Sequence, residues 1–471
     1  MAEIDLTALK NAHSKKTSEQ ALTIITANKG MVLKALLIKN GTCLTDKGPE
    51  KVDLYIEGGK IKQIKKHLDF DDRIDIIDAE DKIVFPGAID TQVHFREPGL
   101  THKEDLETGS KSCVLGGVTT FLEMPNTNPA CDTVSRVQEK INLASEKSYA
   151  NFGFFIGATA NNYEELLKIE GMTGCPGVKV FLGSSTGDLL LYDPEILLKI
   201  LKNVKTPIAF HSENEQRLVE RKSIKENAKD VHAHYEWRDA EAAMSSTRMI
   251  IELAEKANKN IHLLHISTKD EMEFLKDKKH ICTVEVTPQH LSFHAPAFYD
   301  KLGTYAQMNP PIRTEEHQQG LWEGVHNGTV DVIGSDHAPH LKEEKEKGYP
   351  HSPSGMPGAQ TIFPVMLDYA LNGKITLEKL AELMCFNPAK LYSLKNKGHL
   401  RVGFDADIII FDPNREDKIV NGKMASKCGW TPFDQRKVKG KITHTIVAGK
   451  KVVVNGEIVD GPNGAPIELE K

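Results

Sequence analysis

Cysteine is scarce in this chain of 471 residues: its seven thiols are scattered, with no Cys-x-x-Cys pair. That spacing predicts neither a thiolate zinc knuckle nor a disulfide framework, and it suits a reducing cytoplasm. Long apolar runs are missing as well; none approaches the roughly 20 residues needed to span a bilayer, so no membrane segment is predicted. Nor is there an excess of positive charge. A net charge of −6 leaves no broad basic surface to draw in nucleic acid through its phosphates. No strand-like run is followed by a dinucleotide-binding glycine fingerprint or a P-loop, which removes support for nucleotide binding, and internal repeats and low-complexity tracts are absent. What is present, 39% apolar and 27% charged residues over this length, describes a soluble chain that can bury a large core and take a small-molecule substrate. Residues 1–30 are polar and mixed in charge, include Glu3 and Asp5, and lack the apolar stretch of a secretory signal. They are read as a peripheral extension.

From residue 32 to residue 83, short β-type runs at 33–39, 52–57, 61–65 and 74–77 are separated by polar or glycine turns. The same texture returns at 406–411, 443–447 and 451–454, with Asn455 and Gly456 as a turn signal. Matching pieces at both ends predict one small β module, residues 31–84 plus 395–471, with a larger domain inserted between them. In that insert, residues 85–394, apolar strands alternate with helix-compatible stretches such as 239–257. The candidate strands are 84–89, 119–124, 152–158, 178–182, 208–211, 261–266, 283–286 and 330–334. Eight βα units in series predict the α/β class and a closed (β/α)8 barrel, with an open doubly wound sheet as the alternative.

The residues able to carry chemistry fall at the C-terminal ends of these strands, which is the catalytic face of such a barrel. After the first strand, the period of two sends Gln92, His94 and Arg96 to one side. The fourth strand carries Lys179, the fifth ends in His211, the sixth in His265, and the eighth in Asp336, followed by His337 and His340. A single histidine at a strand end is usually structural. Three of them with an aspartate, on four strand ends of one barrel, supply the imidazole and carboxylate groups that zinc prefers. Lys179 admits two readings, because an ammonium in an apolar strand costs several kcal/mol unless it is paired or neutralised. Either a carboxylate such as Asp336 pairs with it, or the neutral amine reacts with CO2 to give a carbamate able to bridge two cations about 3.5–4 Å apart. His102, His232, His234, His317 and His351 lie in polar or loop segments and are read as solvated. The charge run 342–347 is read as a solvated face or a flap over the site.

Three stretches carry a resemblance: Pro86 to Asp90 running into His94-Phe95-Arg96-Glu97-Pro98-Gly99, then Pro125-Asn126-Thr127-Asn128-Pro129, then Gly334-Ser335-Asp336-His337-Ala338-Pro339-His340. Together they resemble the dihydroorotases of the longer bacterial type, among the cyclic amidohydrolases that also include dihydropyrimidinase and allantoinase, over essentially the whole chain from Met31. The resemblance implies a (β/α)8 barrel with a flanking β-sandwich, two zinc ions, and reversible cyclisation of N-carbamoyl-L-aspartate to L-dihydroorotate in pyrimidine synthesis. It implies an oligomer too, commonly a dimer. Carried over by position, His94, carboxylated Lys179, His211, His265 and Asp336 form the metal shell, and Arg96, Asn128, Asn309, His340, Pro357 and Gly358 the substrate shell. A bidentate arginine fork suits a substrate that bears a carboxylate beside a cyclic amide.

Two positions depart from the pattern. Gln92 stands where the family has histidine and offers zinc only a neutral amide oxygen, which puts one metal site in question. Gln289 also stands where close relatives carry histidine. The mechanism implied has Asp336 take a proton from the attacking water and deliver it to the leaving ring nitrogen. Two other functions compete: a dihydropyrimidinase or allantoinase, against which Arg96 and Asn128 speak, and a non-catalytic barrel retained as partner of another pyrimidine-pathway enzyme, for which Gln92 is the best argument.

Overall fold

Residues 35–69, 74–185 and 189–470 are described in the computed structural model. The expectations for residues 1–30 and for the start of the first β run lie outside them. The inserted domain is a ring of parallel strands: β1 Ala88–Val93, β2 Val118–Glu123, β3 Asn151–Phe154 continued by Ile156–Gly157, β4 Val178–Phe181, β5 Ile208–His211, β6 Ile261–Leu263, β7 Cys282–Val286 and β8 Val332–Ile333. Each pairs in parallel with its sequence neighbour. A parallel bridge from Val93 to His337 closes the ring, and the His94 amide donates to the His337 carbonyl at 2.8 Å. The (β/α)8 barrel expected from the strand rhythm is therefore the fold.

Helices fit the outer ring for local reasons. Helix Ala240–Ala257, between β5 and β6, starts where the Asp239 carboxylate accepts from the Ala242 amide and stops at Asn258 in a left-handed conformation. Its Ala242, Ala243, Ile250, Ile251 and Ala254 are buried, an inward stripe at helical spacing. Helix Leu106–Leu115, between β1 and β2, opens on a capping box of Asp105 and Thr108. Among the described residues no helix is long and apolar enough to cross a membrane.

The two termini build two sheets. One has seven strands in the order Glu457–Ile458, Lys450–Val454, Lys437–Val447, Ile408–Lys418, Ile83–Pro86, Thr42–Thr45, Gly48–Lys51; the other has four, Lys60–Lys65, Asp53–Glu57, Leu36–Lys39, Asp75–Asp78. Ile38, Leu54, Ile61, Val84, Ile408 and Ile446 fill the space between them.

Two boundaries differ from the sequence reading. The run 84–89 is not one barrel strand: Ile83–Pro86 pairs antiparallel with 408–411 in the flanking sheet, and the barrel strand starts at Ala88. Gly87 makes the crossing, because a Cβ there would lie 2.1 Å from Thr119 Oγ1. At the other end, residues 463–470 leave the sandwich and return to the barrel. Pro466 bridges Phe152, Leu469 bridges Leu394, and Ile467 is buried with Ile89, Leu122, Phe155, Ala209 and Tyr392. This layer packs the lower barrel interior, on the side away from the C-terminal strand ends where site chemistry sits in such folds.

Candidate active site

Gln92, His94 and Arg96 at the end of β1, His211 and His265 at the ends of β5 and β6, Asn309 in the connection between β7 and β8, and Asp336 after β8 line one cavity at the barrel mouth. Phe181, Asn126, Ser185, Ala338, Ser354 and Gly355 complete its wall. Arg96, His265 and Asp336 all have positive φ (65°, 38° and 46°). Such conformations cost about 1–3 kcal/mol each and concentrate where a site must aim a side chain.

The candidate metal donors form two pairs. In the first, His94 Nε2 and Gln92 Nε2 each lie 3.1 Å from Asp336 Oδ1. His94 Nδ1 is 2.6 Å from Asn126 Oδ1 and so carries the proton, turning the Nε2 lone pair toward the carboxylate. Burial pushes the His94 pKa down, against the pull of Asp336. Two acceptors therefore face each other, an arrangement suited to a cation. In the second pair, His211 Nδ1 is 3.1 Å from His265 Nε2, and His211 Nε2 is 3.0 Å from Glu213 Oε2. Burial alone would raise the Glu213 carboxyl, yet the Arg238 guanidinium and His211 hold it far below its usual range. Glu213 thereby stays a carboxylate beside His211 Nε2, the place from which a carboxylate can orient a ligating imidazole. Among the described residues no three His, Cys, Asp or Glu side chains close on a single point.

Lys179 neighbours both pairs, since its charge acts on His211 and His265 and it feels Asp336. It is fully buried, its Nζ has no hydrogen-bond partner, and it lies 4.4 Å from the centre of the Phe181 ring. Burial pushes its pKa down to about 7 although Asp336 and Glu285 pull the other way. The ion pair with a carboxylate considered from sequence is not formed within the described residues.

Arg96 is buried with Nε and Nη1 unpartnered, and burial lowers its pKa to about 10, so it stays charged at neutral pH. Asn309 turns an unpartnered Oδ1 into the cavity wall. His340 stands behind Arg96, its Nε2 3.4 Å from Nη2, rather than in the wall itself.

Several assignments need correction. Asn128 is exposed, because the turn after β2 swings it outward with its backbone against Gly99; Asn126, nearer the strand end, takes the cavity position. Pro357 and Gly358 lie behind the site, where the Gly358 amide donates to His337 Nδ1 at 3.0 Å; Ser354 and Gly355 form the wall instead. Lys345, within the run read as solvated, is fully buried and donates to the carbonyls of Gln307, Pro353 and Gly355. His234 is buried too, with Nε2 3.0 Å from the Met308 carbonyl. Gln289 donates to the Ser335 carbonyl at 2.8 Å and so braces the peptide that carries Asp336.

Comparison with known proteins agrees with this fold. Residues 83–452 match the amidohydrolase family. The chain is 34% identical to the dihydroorotase of Methanosphaera stadtmanae, covering 90% of this chain and 97% of that one. It is 33% identical to the dihydroorotases of Methanosarcina acetivorans (84% and 87%) and Staphylococcus epidermidis (88% and 98%). Among solved structures, the L-hydantoinase (dihydropyrimidinase) of Arthrobacter aurescens superposes with a TM-score of 0.88 at 29% identity, over 92% of this chain and all of that one. The dihydropyrimidinase of Brevibacillus agri gives 0.85 at 26%, over 93% and 100%. The overall fold thus recurs in these two solved structures, and the chain belongs to the amidohydrolase family.

Proposed function

We propose that this chain is a dihydroorotase, which opens L-dihydroorotate to N-carbamoyl-L-aspartate with water and closes it again with loss of water. Arg96 is the observation that carries this reading. A buried guanidinium with two unpartnered nitrogens faces the cavity lined by Asp336, His94, His211 and His265. A charge left so needs an anion, and a carboxylate beside the scissile amide supplies one in bidentate geometry. Asn126 and Asn309 offer amide groups to the polar edge of the ring.

The donor set fits two zinc ions. His94, Asp336 and the unpartnered Gln92 Oε1 would hold one, and His211 and His265 the other. Lys179 would serve both as a carbamate, formed when its neutral nitrogen bonds to the carbon of CO2 and releases a proton. Zinc bound there supplies Lewis-acid polarisation of the amide carbonyl and acidifies water. Asp336 takes the proton from the attacking water as the C–O bond forms, and passes it to the ring nitrogen as the C–N bond breaks. In the closing direction it accepts a proton from the ureido nitrogen. Both its contacts with Gln92 and His94 use Oδ1, which leaves Oδ2 for this transfer. Pyrimidine synthesis and a cytoplasmic setting go with this reading; the seven buried, unpaired thiols are in keeping with a reducing compartment.

The test is substrate choice. Wild type should hydrolyse L-dihydroorotate well in preference to dihydrouracil and allantoin. Arg96→Ala should cost about 100-fold in kcat/KM for dihydroorotate, in line with charge-assisted hydrogen bonds of about 1.5–3 kcal/mol each, with a much smaller loss for dihydrouracil. A wild type that prefers the ring without a carboxylate would replace this reading with the dihydropyrimidinase one.

Gln92 offers a separate measurement. An imidazole binds zinc more strongly than a neutral amide oxygen, so Gln92→His should tighten retention of one metal by about tenfold or more. Metal analysis after dialysis against graded chelator reads this directly, and unchanged retention would remove Gln92 from the ligand set.

A further inference from the structure

His340 is held between groups of opposite hydrogen-bonding character. Its Nδ1 is 3.1 Å from Lys103 Nζ, and its Nε2 is 3.0 Å from the Ser354 carbonyl and 3.4 Å from Arg96 Nη2. An ammonium can only donate and a carbonyl can only accept. The ring is thereby confined to the neutral tautomer with its lone pair on Nδ1 and its proton on Nε2. Since Nε2 spends that proton on Ser354, it offers no lone pair to Arg96. The guanidinium, already unpartnered at Nε and Nη1, keeps its donors for a ligand. Lys103 is itself fixed by Glu344 at 2.9 Å, and Glu344 Oε2 accepts from the Leu341 amide. Of the charged groups that face the ring, Arg96, Lys103 and Lys345 oppose protonation along with burial, while Glu344, 3.9 Å from Nδ1, would stabilise it.

We propose that Lys103 is a positioning residue for carboxylate recognition: by setting the tautomer of His340 it keeps Arg96 free for the substrate carboxylate and ties down the Ser354 wall. This rests on the dihydroorotase reading. Without Lys103, the His340 proton can move to Nδ1, toward Glu344; Nε2 then accepts from Arg96 and loses its bond to Ser354. Protonating the ring restores a donor on Nε2, so acid should mend what the substitution breaks.

The experiment is steady-state kinetics of Lys103→Met, Lys103→Arg and wild type on L-dihydroorotate across about pH 6 to 8, the range in which a released histidine titrates. Lys103→Met should raise KM about tenfold at the alkaline end with little change in kcat, and the defect should shrink as pH falls. Lys103→Arg, which retains a cationic donor, should stay near wild type. Thermal unfolding of each variant checks that the fold survives. A KM defect that is flat with pH, a loss confined to kcat, or no defect at all overturns the proposal while leaving the dihydroorotase reading intact. A wild type without preference for dihydroorotate over dihydrouracil overturns both.

Discussion

Asp336→Asn is expected to fold normally and to lose about 10³-fold in kcat in both directions, within the range a positioned acid–base group contributes. Asparagine is the informative replacement because Asp336 sits at φ 46°. Asn tolerates that left-handed conformation, whereas Ala would add backbone strain to the loss of the carboxylate. The amide oxygen can still accept from Gln92 Nε2, which now lies 3.1 Å from Oδ1. Proton transfer is what disappears. Because Asp336 also belongs to the donor set, metal content must be measured beside turnover: retained metal with lost kcat assigns the proton, whereas loss of both assigns ligation. Near-normal kcat with either metal count would dismiss the proposed role.

The same residue shows why much of the site could be read before the fold was known. A parallel barrel buries both faces of its strands, so each strand appears in sequence as an apolar run, and the first ionisable residue at its C-terminal end lies at the mouth. His211, His265 and Asp336 follow that rule. Asn128 broke it by the smallest margin. Two asparagines sit two residues apart in one turn, and which faces inward depends on where the turn bends; Asn126 is nearer the strand end and buried, Asn128 exposed. Proximity to the strand end was the signal that could have chosen between them.

Lys345 failed for a different reason. Composition makes 342–347 a solvated charge run, and only tertiary structure supplies the carbonyls of Gln307, Pro353 and Gly355 that let one ammonium be buried. No local pattern announces that environment. The split at Gly87 is similar, since the apolar run 84–89 is continuous while its partners change from the flanking sheet to β2. Periodicity reports burial, and both sheets bury it.

Lys179 gives the second large expected effect, and three variants separate its roles. The two donor pairs are each short of ligands by themselves: Asp336 with His94, and His211 with His265. A group with two anionic oxygens between them would complete both, and unmodified lysine has none. Lys179→Met keeps most of the side-chain volume in a site that is fully buried and removes an amine with no partner. It should therefore fold at least as well as wild type, yet fail to retain metal and lose about 10³-fold or more in kcat. Lys179→Arg should be equally inactive, because a guanidinium cannot take up CO2 and stays cationic. Lys179→Ala should also be inactive but leaves a cavity of about one side chain, at a cost of a few kcal/mol in stability. Added acetate or propionate can enter that cavity and present a carboxylate where the carbamate would stand, so metal retention and part of the activity should return in the Ala variant and not in the Met variant. Intact-protein mass spectrometry of wild type under mild conditions should show the added mass of one CO2. If Lys179→Met retains both metals and turns over normally, the two pairs are complete without the lysine, and the carbamate has no part in the site.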